Sequence, residues 1–445
     1  MKHLRISLLF ILVLCLVLSI SPSAFAAEEG TCGPNATWRL DGSTLTISGT
    51  GLVTDICWYE YRNQILKVVV EPGIINLPEH AFQDCEFLTD ITLPEGMTHI
   101  GSFAFHNCKS LGTVLLPSTL QKLAQHAFSG SGITGITIPG NVERIELSVF
   151  DSCEKLLRVT LEEGITSIGV SAFYGCKKLK DITLPESLEI IENNAFEGCA
   201  SLQSIILPAN VKVIPSYAFR GCENLESVTL SPKTTTIAFE AFAQCDSLRS
   251  ITLPPTVEIL HGLSNSLREI HISDLAAWCK MPHSSYSNYL ENAGLYLNGE
   301  LITDLVIPAD CKIIGYGAFR GYQHLTSVTI PEGVTSISGN AFEGCIALKQ
   351  VTLPSTLQHI GNYAFSGTPQ LQTVIYNGSF NDLEKIEIYG GNEGLLNASM
   401  NYNSLGTAWV YIYSVIVFVL TCLMQLGVLI ACLVIYIRQR NYLSV

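Results

Sequence analysis

The most reactive side chain in this sequence recurs at a fixed place. Cys85, Cys108, Cys153, Cys176, Cys199, Cys222, Cys245 and Cys345 each stand three residues after a phenylalanine. A row of thiols can close disulfides, hold zinc or supply a nucleophile. Ser131, Tyr322 and Thr368 fill the same place in other copies, and a position that accepts a hydroxyl is not a fixed disulfide half. No CxxC pair occurs, so zinc at its usual spacing is unsupported. The row reads as a ladder of buried thiols. Cys32 and Cys57 lie outside it and are the better disulfide candidates.

Other chemistry is sparse. There is no nucleophile elbow, HExxH, Walker loop or GxGxxG; the segment GYGAFRG from Gly315 has the wrong spacing. The histidines scatter over variable positions. No catalytic, metal-binding or cofactor-binding residue is therefore expected, and no cofactor. A net charge of −14 argues against nucleic acid as a partner, because phosphate binding needs a basic face.

What remains is binding. Alternating segments place Thr92, Leu115, Thr137, Thr160, Thr183, Ile206, Thr229 and Thr252 on the outward side of successive strands. The row is either a hydroxyl-rich contact surface or threonine serving as a good strand former. Leu115 and Ile206 break the pattern as candidate anchors. Trp278, Tyr286 and Tyr289 form a second aromatic candidate, either exposed for binding or buried under their loop.

These residues are positioned by a repeat. An Ala-Phe or Val-Phe pair recurs at Phe82, Phe105, Phe128, Phe150, Phe173, Phe196, Phe219 and Phe242, mostly 23 residues apart, and again at Phe319, Phe342 and Phe365. A period of this length means stacked coils. In the unit from Leu179 to Leu202, Ile182 and Leu184 alternate with Asp181 and Thr183, the pattern of a short strand with one buried face. Pro185 ends that strand, Leu188 and Ile191 turn the chain inward, and the phenylalanine fills the interior as a continuous spine. The period predicts about 14 strands, centred on Val68, Ile91, Val114, Ile136, Val159, Ile182, Ile205, Val228, Ile251, Ile270, Leu305, Val328, Val351 and Val374.

The ends have their own grammar. Residues 1–26 pair Lys2 and Arg5 with an apolar run and an AxA site, a signal peptide. Residues 408–437 lack any charge and are long enough to span a bilayer. Arg438 and Arg440 follow, which puts the 438–445 tail in the cytoplasm and the repeats outside the cell. Between these ends lie an N-terminal β cap (27–66), repeats (67–273), an insertion on one coil (274–300), further repeats (301–376), and a C-terminal cap with a juxtamembrane linker (377–407). In the cap, Trp38 and Leu40 are expected to pair across Asp41-Gly42 to Leu45 and Ile47 as a hairpin.

The unit ITLPxxLxxIxxxAFxGCxxL, running from about Lys67 to Tyr376, resembles that of BspA-type leucine-rich-repeat surface proteins. The stretch Cys32 to Gly51 is similar to the small cap that precedes such repeats. Asp274–Gly299 and Asn381–Asn403 resemble each other as closing modules of this family. The resemblance implies an α/β-type solenoid, a right-handed coil with a curved parallel β-sheet. It also implies adhesion or recognition at the cell surface, with an extracellular protein or glycan as ligand. The second reading is a structural or sensory envelope protein whose solenoid docks another membrane protein.

Overall fold

The computed structural model describes residues 27–281, 283 and 289–402. The chain forms two compact units, residues 1–277 with 283–300, and residues 278–282 with 301–445. Both are parallel β-solenoids, about 15 turns in all with few helices. The signal peptide, residues 408–437 and the tail lie outside the described residues. Among the described residues, no helix is long and apolar enough to cross a membrane.

The first unit opens with three antiparallel strands, β1 (Glu28–Gly33), β2 (Ala36–Asp41) and β3 (Thr44–Gly49). Trp38 faces Ile47 and Leu40 faces Leu45. The connection is Gly42-Ser43, one residue later than the expected Asp41-Gly42, because Asp41 still pairs with Thr44. Gly42 takes φ +60° there, which a two-residue hairpin turn requires. β3 then pairs in parallel with β4 (Lys67–Val70), matching Leu45 to Val68 and Ile47 to Val70. The cap thus converts an antiparallel hairpin into the edge on which coils stack.

Every expected strand centre lies in a strand except Val114. Val114 is buried, yet its segment joins no ladder. Gly112 weakens its start, and the next coil is one residue short between Phe128 and Ile136. Two strands beyond the expected centres extend the parallel ladder, Gly294–Leu297 and Ser399–Tyr402, which pair with Glu269–Ile272 and Thr373–Tyr376. The stretch read as an insertion on one coil therefore supplies a strand of its own. A second parallel ladder, of two-residue strands such as Ser167–Ile168 and Ile190–Ile191, lies where the chain was expected only to turn inward.

A third ladder runs along the arch that carries each phenylalanine. In the regular coils the amides two residues before, at and two residues after the ring donate to the next coil. In one coil these are Ser171 to Asn193, Phe173 to Ala195 and Gly175 to Glu197, at 3.0, 2.8 and 2.8 Å. The flanking positions are left-handed throughout, from His80 (φ 59°) and Asp84 (φ 58°) to Tyr363 (φ 57°) and Gly367 (φ 65°). That conformation costs a non-glycine residue about 1–2 kcal/mol, and here it aims all three amides along the solenoid axis.

Inside the arches the rings stack. In the first unit, successive centroids from Phe82 to Phe242 are 4.9–5.7 Å apart. In the second, Phe319, Phe342 and Phe365 follow at 5.4 and 5.2 Å. All are fully or almost fully buried.

Phe196→Ala should cost about 3–5 kcal/mol, the range for truncating a buried aromatic, and should loosen the coils of Phe173 and Phe219 before distant ones. Hydrogen exchange read coil by coil checks this; a uniform loss along the unit would contradict it.

Candidate recognition surface

Most outward positions alternate with a buried residue on their own strand, although Ile182 beside Thr183 and Val228 beside Thr229 are half-buried. Val159 and Leu161 are buried while Thr160 points out. Parallel pairing places Thr137, Thr160 and Thr183 side by side, and Ile206 beside Thr229. Thr92, Thr137, Thr160, Thr183, Thr229 and Thr252 are all exposed. Leu115 is 80% and Ile206 71% exposed, extreme values for large aliphatic side chains.

Leu115 stands where the strand ladder fails. A depression of about 440 Å³ opens there, lined by Glu95, Thr113, Leu115, Thr137, Arg158 and Glu162 among others. Arg158 is held along the rim by Asp181 at 3.3 Å. The failed ladder, the exposed leucine and the hydroxyls therefore coincide. Ile206, Thr229 and Thr252 lie further along the same unit, outside this depression.

The aromatic candidate is corrected. Trp278 is 1% exposed, in the helix Leu275–Lys280, and its indole N–H donates to Ala318 O at 2.9 Å. It starts the second unit's interior. Tyr289 is 2% exposed, its hydroxyl paired with His283 Nδ1 at 2.6 Å. Neither can meet a partner at the surface. Tyr286 lies outside the described residues.

Trp278 has a counterpart that the repeat alignment missed. Trp58 stacks on Phe82 at 5.8 Å and donates to Ala81 O at 2.7 Å. Its signal was available, since it precedes Ala81 by 23 residues, one period.

The thiols have a structural partner. Cys108, Cys153, Cys176, Cys199, Cys222, Cys245 and Cys345 each donate to the phenylalanine carbonyl of the coil before, at 3.0–3.3 Å. Tyr322 reaches Ile302 O instead at 2.6 Å. Cysteine suits this place because it is small, apolar and still a donor. None of the twelve cysteines among the described residues is in a disulfide. The disulfide candidates Cys32 and Cys57 are both thiols in this structure, and Cys57 Sγ donates to Thr31 O at 3.4 Å. Burial pushes Cys85, Cys153 and Cys245 up to about 12, and Cys32 up to about 11. It holds Cys108, Cys176 and Cys222 well above the ordinary thiol value. Among the described residues no three His, Cys, Asp or Glu side chains are placed to hold a metal.

Stacked coils with strand, turn and arch in every repeat define the leucine-rich-repeat class of solenoids. The model of the BspA-type leucine-rich-repeat region matches residues 75–174, 146–266 and 293–401 in six copies, and the chain belongs to that family. A leucine-rich-repeat protein from Bacteroides ovatus is similar at 20% identity, covering 82% of this chain and 98% of its own, with a TM-score of 0.52. A leucine-rich cell surface protein from Faecalibacterium prausnitzii is 21% identical over 81% of this chain and 97% of its own, with a TM-score of 0.34. No curated protein matches the chain.

The raised thiols set a pH dependence. Unfolded cysteines ionise near 8.5, so their protons leave the unfolded chain first. Stability should fall as pH rises above about 8.5, by up to about 1.4 kcal/mol per unit for each buried thiol. Urea midpoints at pH 7.5 and 10 test this, and a Cys199→Ala variant should show a shallower decline. In the native protein at pH 7.5, alkylation should mark the exposed Cys57 and leave Cys176, Cys199 and Cys222 untouched.

Proposed function

We propose that this chain is a membrane-tethered recognition protein, displayed outside the cell, that binds an extracellular protein or glycan through its outward strand face and performs no catalysis. The observation that carries this reading is Leu115, an exposed apolar anchor beside a depression rimmed by threonine hydroxyls and charge. Apolar contact at the centre with polar groups around it is how binding energy concentrates at interfaces. A preformed sheet loses little entropy when a partner docks, so modest contacts over several coils add up.

The tether rests on the uncharged run at 408–437 and the arginines behind it. Protease applied to intact cells should remove the repeats and leave a small membrane-embedded stub. Protection of the repeats would overturn the orientation.

Binding is tested by screening the soluble fragment 27–407 against matrix proteins and glycans. For any ligand found, Leu115→Lys should weaken binding at least tenfold, about 1.4 kcal/mol, with Thr183→Lys and Thr229→Lys together weakening it further. Both variants should unfold at the wild-type midpoint, since all three positions point to solvent. Unchanged affinity in both would move the binding surface elsewhere.

A further inference from the structure

The arch ladder is interrupted at the Phe242 coil. One coil earlier it is complete, with Tyr217, Phe219 and Gly221 donating to Phe239, Ala241 and Ala243 at 3.1, 2.9 and 2.9 Å. After Leu260 the chain is shortened and returns without an arch. Of the three arch amides of the Phe242 coil it meets the central one alone, where Gly262 O accepts the Phe242 amide at 2.8 Å, while His261 N and Ser264 Oγ bond Ile237 O and Cys245 O on either side. A Cβ on Gly262 would lie 2.0 Å from Ala238 O and 2.5 Å from Ala241 N, so the chain passes here because residue 262 has none. The Glu240 and Gln244 amides, held at φ 51° and 58°, have no partner among the described residues. Beside them opens a cavity of about 640 Å³, lined by Phe239, Glu240, Gln244, Asp246, His261 and Asn265 among others.

Two fixed main-chain donors in a cavity call for acceptors, and the surrounding charge decides their kind. Glu240 and Asp246 line the cavity, which disfavours an anion. Arg220, the lining guanidinium, already meets Glu197 at 3.8 Å and Glu240 at 3.4 Å. Neutral carbonyl oxygens beside a cationic side chain fit these groups, and Phe239, 41% exposed, offers an apolar wall. An open ladder edge of this kind is a template for an added segment.

We propose that this notch binds an extended, basic segment of another protein, whose carbonyls take the Glu240 and Gln244 amides while a Lys or Arg meets Asp246. It is a second binding site, distinct from the Leu115 face and independent of it.

The probe is an array of acetylated, amidated heptapeptides, basic, neutral and acidic, applied to the detergent-solubilised full-length chain. Two variants block the notch with residues that the fold already carries at equivalent places. Ala243→Arg copies Arg220, one residue after its phenylalanine, and Asp246→Lys copies Lys177, four after. Basic peptides should bind best, and each variant should weaken them at least about tenfold, as loss of a close charged contact or its space does. Hydrogen exchange over residues 240–244 should slow when peptide is bound, while both variants keep the wild-type unfolding midpoint. Absence of binding by every basic peptide, equal binding by acidic ones, undiminished binding to both variants, or unchanged exchange over 240–244 would each overturn the proposal.

Discussion

The structure depends on one arrangement of the backbone. The residues two before and two after each phenylalanine turn left-handed, and in the regular coils their amides and that of the phenylalanine itself point along the axis into the next coil. Coils are thereby held at a fixed spacing on the side away from the strands, which lets the rings stack at 4.9–5.7 Å. The strain of each left-handed residue is offset by hydrogen bonds worth about 0.5–1.5 kcal/mol apiece. Glycine fills many of these places, but His80, Phe103, Asn194 and Tyr217 show that the ladder tolerates a side chain. Where a solenoid ends, the same amides must be met otherwise. Asn392 does this in the second unit, its side chain accepting the Phe365 amide at 2.9 Å while donating to Gly361 O and Tyr389 O.

The arch also explains why cysteine recurs without redox chemistry. The phenylalanine carbonyl of a coil already accepts the amide three residues later in its own coil, as Phe173 O does from Cys176 N at 3.3 Å, and a carbonyl has a second lone pair to offer. A thiol three residues after the next ring reaches it without adding a strongly polar group to the core. The hydroxyls that fill this place in other copies bond elsewhere: Ser131 Oγ meets Cys153 Sγ at 3.4 Å, Thr368 donates to Phe365 O of its own coil at 2.8 Å, and Tyr322 donates to Ile302 O at 2.6 Å. Paired cysteines are the usual expectation for an exported protein, the location proposed for this one. Here the repeat position, rather than the compartment, decides what the thiol does.

Much of this was legible because side chains report period well. Phe196, Cys199 and Leu202 recur in register, and alternation about Ile182 marks a strand with an inside and an outside. Main-chain events were not legible. The two-residue strand Ile190–Ile191 is too short to show alternation, and left-handed residues as different as Glu240 and His80 share no composition. Trp278 illustrates a different limit. It stands 40 residues before the Ala318 carbonyl it bonds, a separation unrelated to the period, so its burial could be found only in three dimensions. Trp58 stands one period before Ala81 and 24 residues before the Phe82 ring it stacks on, so a search for phenylalanine at the 23-residue spacing passes over it.

Repetition also shapes where binding can evolve. A solenoid consumes its backbone donors internally, so a regular coil offers a partner only side chains, and the outward strand positions can vary freely because most alternate with a buried neighbour. Threonine dominates these positions for its fit to the strand, and against that background Leu115 and Ile206 are departures that folding does not require, since neither contributes to the core. Backbone becomes available only where the repeat is broken. The shortened chain after Leu260 and the failed ladder at Val114 are two such breaks, and a cavity opens beside each. Irregularity in a repeat protein is thus more informative about recognition than the repeat itself, because the repeat satisfies its own hydrogen bonds and the irregular coil leaves some for another molecule.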